Sequence, residues 1–123
     1  ETLKPESSSG QIVSEETARK LTGMLVDVVE NGSARFAKIQ GYEIAGKTGT
    51  AQMPFSSLGL NKKGYSEETW QTFIGYAPAY SPRFVALVKF DSPEAKTSEY
   101  SVAPAFGKLA EYIINYLCIP PEK

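Results

Sequence analysis

The chain has 123 residues, 41% of them hydrophobic and 22% charged, which suits one globular domain and excludes a wholly disordered segment. Thirteen basic against fourteen acidic residues leave a net charge of -1, so nucleic acid or an anionic membrane finds no electrostatic footprint. With no histidine, the imidazole base of serine and cysteine hydrolases is absent; with one cysteine, neither an internal disulfide nor a multi-thiolate metal site can form, and no cofactor is expected.

Residues 1–13 carry Pro5 and Ser7-Ser8-Ser9-Gly10, have little to bury, and read as an extended lead-in to a body at 14–123. Ser14 fits an N-cap, with Glu15 and Glu16 where a helix dipole favours negative charge. Ala18, Leu21, Leu25, Val28 and Val29 recur at helical spacing and Asn31-Gly32 supplies a stop, which predicts a helix over about 15–31. A first strand is predicted over about 42–51, followed by a long polar loop from Gln52 to Glu68 in which Lys62-Lys63 and Glu67-Glu68 are solvated. Thr69–Tyr76 and Arg83–Phe90 read as the two arms of a hairpin turning at 77–82, their Trp70, Phe73, Phe84 and Phe90 serving core or cross-strand packing. After a polar stretch, Pro104 suits the first turn of a helix lined on one side by Phe106, Leu109, Ala110, Ile113 and Leu117 and ended by Pro120-Pro121. Between Leu117 and Ile119, Cys118 reads as a buried apolar residue. The order helix, three strands, helix predicts an α+β fold with a three-stranded antiparallel sheet flanked by an N-terminal and a C-terminal helix. No stretch reaches the roughly 20 apolar residues that span a bilayer, so any membrane anchor is expected outside this chain.

Two chemistries lay claim to Gly46-Lys47-Thr48-Gly49-Thr50-Ala51-Gln52. Read backward, Gly41 to Thr48 satisfies the phosphate-cradling pattern G-x-x-x-x-G-K-[ST]; read forward, Lys47-Thr48-Gly49 is the K-T-G signature of penicillin-binding proteins and class A β-lactamases. A phosphate loop needs a turn that opens a helix. Here Tyr42-Glu43-Ile44-Ala45 alternates as a strand does, while Gly49 and Pro54 oppose a following helix, which disfavours a nucleotide binder. On a strand, Thr48 and Thr50 share a face about 7 Å apart, two hydroxyls able to grip a carboxylate or an acyl chain. Lys47 supplies positive charge that attracts an anionic substrate or lowers the pKa of a neighbouring acid-base group. Gly49, without a side chain, lets a peptide backbone lie along the strand edge.

The chain resembles the C-terminal part of the transpeptidase domain of class B penicillin-binding proteins, serine acyltransferases that cross-link peptidoglycan. The resemblance rests on Gly41-Tyr42 leading into Ala45–Gln52, on Phe73-Ile74-Gly75-Tyr76-Ala77-Pro78, and on Ala103-Pro104-Ala105-Phe106. It implies a partial β-lactamase-like fold and places Lys47, Thr48 and Gly49 among the catalytic residues. It gives the Thr48 hydroxyl the carboxylate of a D-alanyl stem peptide or a β-lactam, and the Thr50 N–H a place in the oxyanion hole. The family's nucleophile motif S-x-x-K and its S-x-N motif occur nowhere in this sequence. The resemblance therefore implies a fragment inactive alone, partnered by the rest of the transpeptidase domain and working on the extracytoplasmic face of a bacterial membrane. Exposed apolar surface and an unpaired edge would promote self-association. The other reading left open is a non-catalytic peptide-binding or interaction module; a nucleophile segment upstream separates the two.

Overall fold

The computed structural model describes residues 10–122. The expected lead-in over residues 1–9 lies outside the described residues; residues 10–13 are irregular and exposed. Helix α1 spans Glu15–Glu30 and is capped as the sequence predicts, the Ser14 Oγ accepting the Thr17 N–H at 3.1 Å with Glu15 and Glu16 in the first turn. Strands β1 (Ala45–Pro54), β2 (Tyr65–Ala77) and β3 (Phe84–Asp91) follow, then helix α2 (Val102–Tyr116). The sheet is antiparallel in the order β1-β2-β3, so β1 and β3 are its margins.

The register decides which residues share a face. Gly46, Thr48 and Thr50 stand opposite Gly75, Phe73 and Gln71, while Ala45, Lys47, Gly49 and Ala51 stand opposite Tyr76, Ile74, Thr72 and Trp70 on the other side. The Phe73 face carries the main core, where Val102, Ala103, Phe106, Ala110 and Ile114 of α2 pack with Val29, Ala37, Ile44 and Ala77. The rings of Phe73 and Phe106 lie 4.3 Å apart at 35°. The opposite face is covered only at one end, where Val26 of α1 packs on Ala45 and Ala79 and the Thr22 hydroxyl meets the Tyr76 hydroxyl at 2.8 Å. Beyond α1 no described residue covers that face: Ile74, Val85 and Leu87 are 49%, 69% and 59% exposed.

Four expectations are corrected. The loop from 52 to 68 is shorter than predicted, because β1 continues to Pro54 and β2 begins at Tyr65, the two residues pairing across a register shift; Glu67 and Glu68 thus sit on a strand. Helix α2 buries Phe106 and Ala110 as expected but leaves Leu109 and Leu117 exposed, and turns Val102, Ala103, Gly107 and Ile114 inward instead; at Gly107 the helix passes close to the turn at Arg35–Ala37. A Cβ on Gly107 would stand 3.1 Å from the Phe36 carbonyl oxygen. In α1 the inward stripe is Thr22, Val26 and Val29, and Leu21 is half exposed. Cys118 is exposed: the chain leaves α2 through a left-handed residue there, at φ 52, which turns the thiol outward and sends Ile119 into the core.

Candidate active-site wall

Lys47-Thr48-Gly49-Thr50 lies extended along β1, hydrogen-bonded to β2 on one side and, among the described residues, without a neighbouring strand on the other. Strand continues to Pro54 where a phosphate loop would open a helix, and the following residues form one turn of 3-10 helix at Phe55–Leu58. Among the described residues Thr48 is followed by strand and opens no helix, so the sequence match to a phosphate loop has no structural counterpart.

Each residue of the motif finds different company. Lys47 is exposed, and its Nζ lies back on its own strand, donating to the Thr48 carbonyl at 2.9 Å and standing 3.4 Å from Thr48 Oγ1. It belongs to none of the ion pairs among the described residues, so its charge is offered to the strand's outer margin. Thr48 is half-buried and, among the described residues, its hydroxyl also meets Ser33 Oγ at 3.3 Å, a long contact that a better acceptor can displace. The Thr50 hydroxyl is engaged on the inner side, 2.7 Å from Ser98 Oγ. Thr50 is the more exposed residue, but its hydroxyl makes the shorter contact, so of the two hydroxyls that alternation places on one face Thr48 is the less firmly held.

Gly49 has a second reason to be bare. A Cβ there would stand 2.6 Å from Oγ1 of Thr72, the residue directly opposite on β2. The strand closes on its neighbour at this point as well as lying open at its outer side.

Beneath β1 is a polar layer that no local sequence pattern announces. Ser98, 1% exposed, lies on the segment entering α2; its Oγ donates to the Gly49 carbonyl and its N–H donates to Thr50 Oγ1 at 3.3 Å. The Gln71 amide is fully buried, donating to the Ala95 carbonyl at 2.6 Å and Thr69 Oγ1 at 3.0 Å while its oxygen accepts from the Ser101 hydroxyl. Every polar group of that amide has a partner, as burial demands. The segment is also tied outward, by the Arg35–Glu99 ion pair at 3.2 Å and by the rings of Phe36 and Tyr100, 5.5 Å apart. Residues 95–101 are thus stitched to the underside of the site strand.

The model of the penicillin binding protein transpeptidase domain matches residues 2–111. The chain belongs to that family. Penicillin-binding protein PbpB of Mycolicibacterium smegmatis is 35% identical over 120 residues, covering 89% of this chain and 18% of that protein. A probable peptidoglycan D,D-transpeptidase, PbpC of Pseudomonas aeruginosa, is 32% identical over 123 residues, 96% of this chain and 20% of its own length. Among solved structures, penicillin-binding protein 3 of Mycobacterium tuberculosis complexed with ampicillin superposes with a TM-score of 0.80 at 31% identity, covering 98% of this chain and 28% of that one. The chain thus spans about a fifth of the length of the curated relatives it matches. Transpeptidase kinship and the α+β architecture both agree with what the sequence predicts.

Proposed function

We propose that this chain is one wall of a D,D-transpeptidase active site, the part that receives the acyl donor while a serine nucleophile and its proton relay come from elsewhere in the domain. The observation that carries the reading is Lys47–Thr50 lying extended along an open sheet margin in a chain that the family model matches almost end to end. An incoming D-alanyl stem peptide, or a β-lactam in its place, would lie beside β1 with its carboxylate near the Thr48 hydroxyl and the Lys47 ammonium. Its carbonyl oxygen would be met by the Thr50 N–H, a donor fixed before the reaction begins. The name of a relative, a probable peptidoglycan D,D-transpeptidase, supports a working place on the extracytoplasmic face of a bacterial membrane. Among the described residues no helix is long and apolar enough to cross one.

Without S-x-x-K there is no nucleophile, so no acyl-enzyme can form on this chain alone. A fluorescent penicillin is expected to label the complete translation product of the gene and to leave the isolated chain unlabelled on denaturing gels. A labelled band from the isolated chain refutes the reading. If the complete product stays unlabelled, the non-catalytic peptide-binding module takes its place.

The remainder of the domain would cover the bare sheet face. Ile74, Val85 and Leu87 adjoin a shallow cleft of ≈ 470 Å³ lined by Ala18, Thr22, Tyr76, Ala79 and Pro82, and Leu21 and Met24 of α1 add further exposed apolar area. Left uncovered beside the unpaired margin of β3, this surface drives association with a second copy. Sedimentation of the concentrated chain is expected to return dimers or larger species, and a Val85→Lys, Leu87→Lys double variant to shift them toward monomer. A strictly monomeric unaltered chain contradicts this.

A further inference from the structure

Ser98 sits directly under the strand that the proposed function places against substrate, yet touches nothing on the strand's open side. Its hydrogen bonds have a single consistent direction. The Ser98 hydroxyl has one proton and gives it to the Gly49 carbonyl. The Thr50 hydroxyl, 2.7 Å from Ser98 Oγ, must then be the donor in that pair, and Thr50 Oγ1 in turn accepts the Ser98 N–H at 3.3 Å. The chain of donors runs from Ser98 N–H to Thr50 hydroxyl to Ser98 hydroxyl to Gly49 carbonyl, with every proton assigned.

The Gly49 carbonyl and the Thr50 N–H belong to one planar peptide unit and point in opposite directions. Whatever holds the carbonyl inward therefore aims the N–H outward. The β1–β2 pairing, with Gly49 opposite Thr72, sets the course of the strand, and because Gly49 puts no Cβ on that unit the Ser98 hydroxyl sets the tilt that the pairing leaves free. The longer contact from Thr72 Oγ1, at 3.4 Å, adds little.

We infer that Ser98 is a positioning residue of the transpeptidase site: by gripping the Gly49 carbonyl and committing the Thr50 hydroxyl inward, it aims the Thr50 N–H at the position of the reacting carbonyl oxygen. The inference rests on the transpeptidase reading of the site. Two consequences follow. The Thr50 hydroxyl is withdrawn from ligand binding, leaving Thr48 as the hydroxyl that meets the substrate carboxylate. The segment that starts α2 is coupled to the chemistry, because Ser98 also accepts the Ala103 N–H at 3.0 Å and so closes the first turn of the helix.

The test uses the complete translation product and a chromogenic or fluorescent β-lactam, with noncovalent binding and acylation rate resolved by stopped flow. Ser98→Thr keeps the hydroxyl and Ser98→Val keeps the same shape without it, so the pair isolates the hydrogen bond from the packing. Ser98→Val is expected to lower the acylation rate constant about ten- to a hundredfold, the scale of a misplaced reacting geometry, with the noncovalent dissociation constant unchanged. Ser98→Thr is expected to restore most of the rate, and both variants to unfold at closely similar temperatures. Equal losses in the two variants, or an effect confined to binding, overturn the inference. An unaltered protein that is never acylated overturns the transpeptidase reading and this inference with it, whereas normal acylation in Ser98→Val removes this inference alone.

Discussion

Replacing Lys47 with alanine in the complete translation product is expected to lower the acylation rate by a β-lactam by about 100- to 1000-fold, the loss seen when one fixed electrostatic group is removed from an acyl-transfer site. The physical basis is the isolation of this charge. Lys47 Nζ is held 2.9 Å from the Thr48 carbonyl, so the ammonium is kept at the strand margin by its own backbone, with no carboxylate among the described residues ion-paired to it. A cation placed there attracts the carboxylate of the incoming peptide and stabilises negative charge as the acyl carbon becomes tetrahedral. Ammonium is a compact point charge and guanidinium a planar fork, so Lys47→Arg is expected to recover only part of the rate. Stopped-flow acylation measures both. A Lys47→Ala protein that acylates at the unaltered rate removes Lys47 from the site, and with it the reason for reading the K-T-G strand as catalytic.

The contrast between Lys47 and Ser98 shows where reading the sequence succeeds. Lys47–Thr50 is legible because its information is local: Gly49 and Pro54 refuse a helix and these residues do lie on a strand, although it runs from Ala45 to Pro54 and leaves out Tyr42, Glu43 and Ile44, whose alternation suggests a strand over about 42–51. The start of α1 is legible for the same reason, since Ser14 with Glu15-Glu16 needs no distant partner. Ser98 meets Thr50 across 48 residues, and nothing in Lys96-Thr97-Ser98-Glu99 distinguishes a buried clamp from a solvated loop. Strand β2 was predicted too short because its first residues, Tyr65 to Glu68, project past the core; only Ser66 is buried, so the alternation that marks a half-buried strand is missing. The core stripe of α2 is legible in part: Phe106 and Ala110 are buried as their spacing predicts, while Leu109 and Leu117 are exposed and the close approach of the helix to Phe36 and Ala37 selects Gly107, a tertiary property.

Phe73→Ala is expected to destabilise the chain by about 3–5 kcal/mol, the range for removing a buried aromatic ring. Phe73 is 0% exposed and opposes Thr48, so the ring that fills the core also supports the site strand from below. Urea unfolding followed by circular dichroism reads the loss, and a change within the range of a surface substitution refutes it. Gly75 sharpens the argument. A Cβ at Gly75 would lie 2.8 Å from both the Phe73 and the Phe106 rings and 3.0 Å from the Ala45 carbonyl oxygen, and one at Gly46 would lie 2.5 Å from the Phe73 ring. The two glycines, opposite each other in the register, are the space into which the aromatic pair fits. Gly75→Ala should therefore cost about 1–3 kcal/mol by overpacking. Combined with Phe73→Leu it should cost less than the sum of the two changes, since the smaller side chain gives back part of the space; coupling between touching residues runs to about 0.5–3 kcal/mol. Strict additivity would mean that the penalty at Gly75 comes from the Phe106 ring and the Ala45 backbone and not from Phe73. The coupling, if found, ties the depth of the core directly to the straightness of the strand that carries Lys47, Thr48 and Thr50.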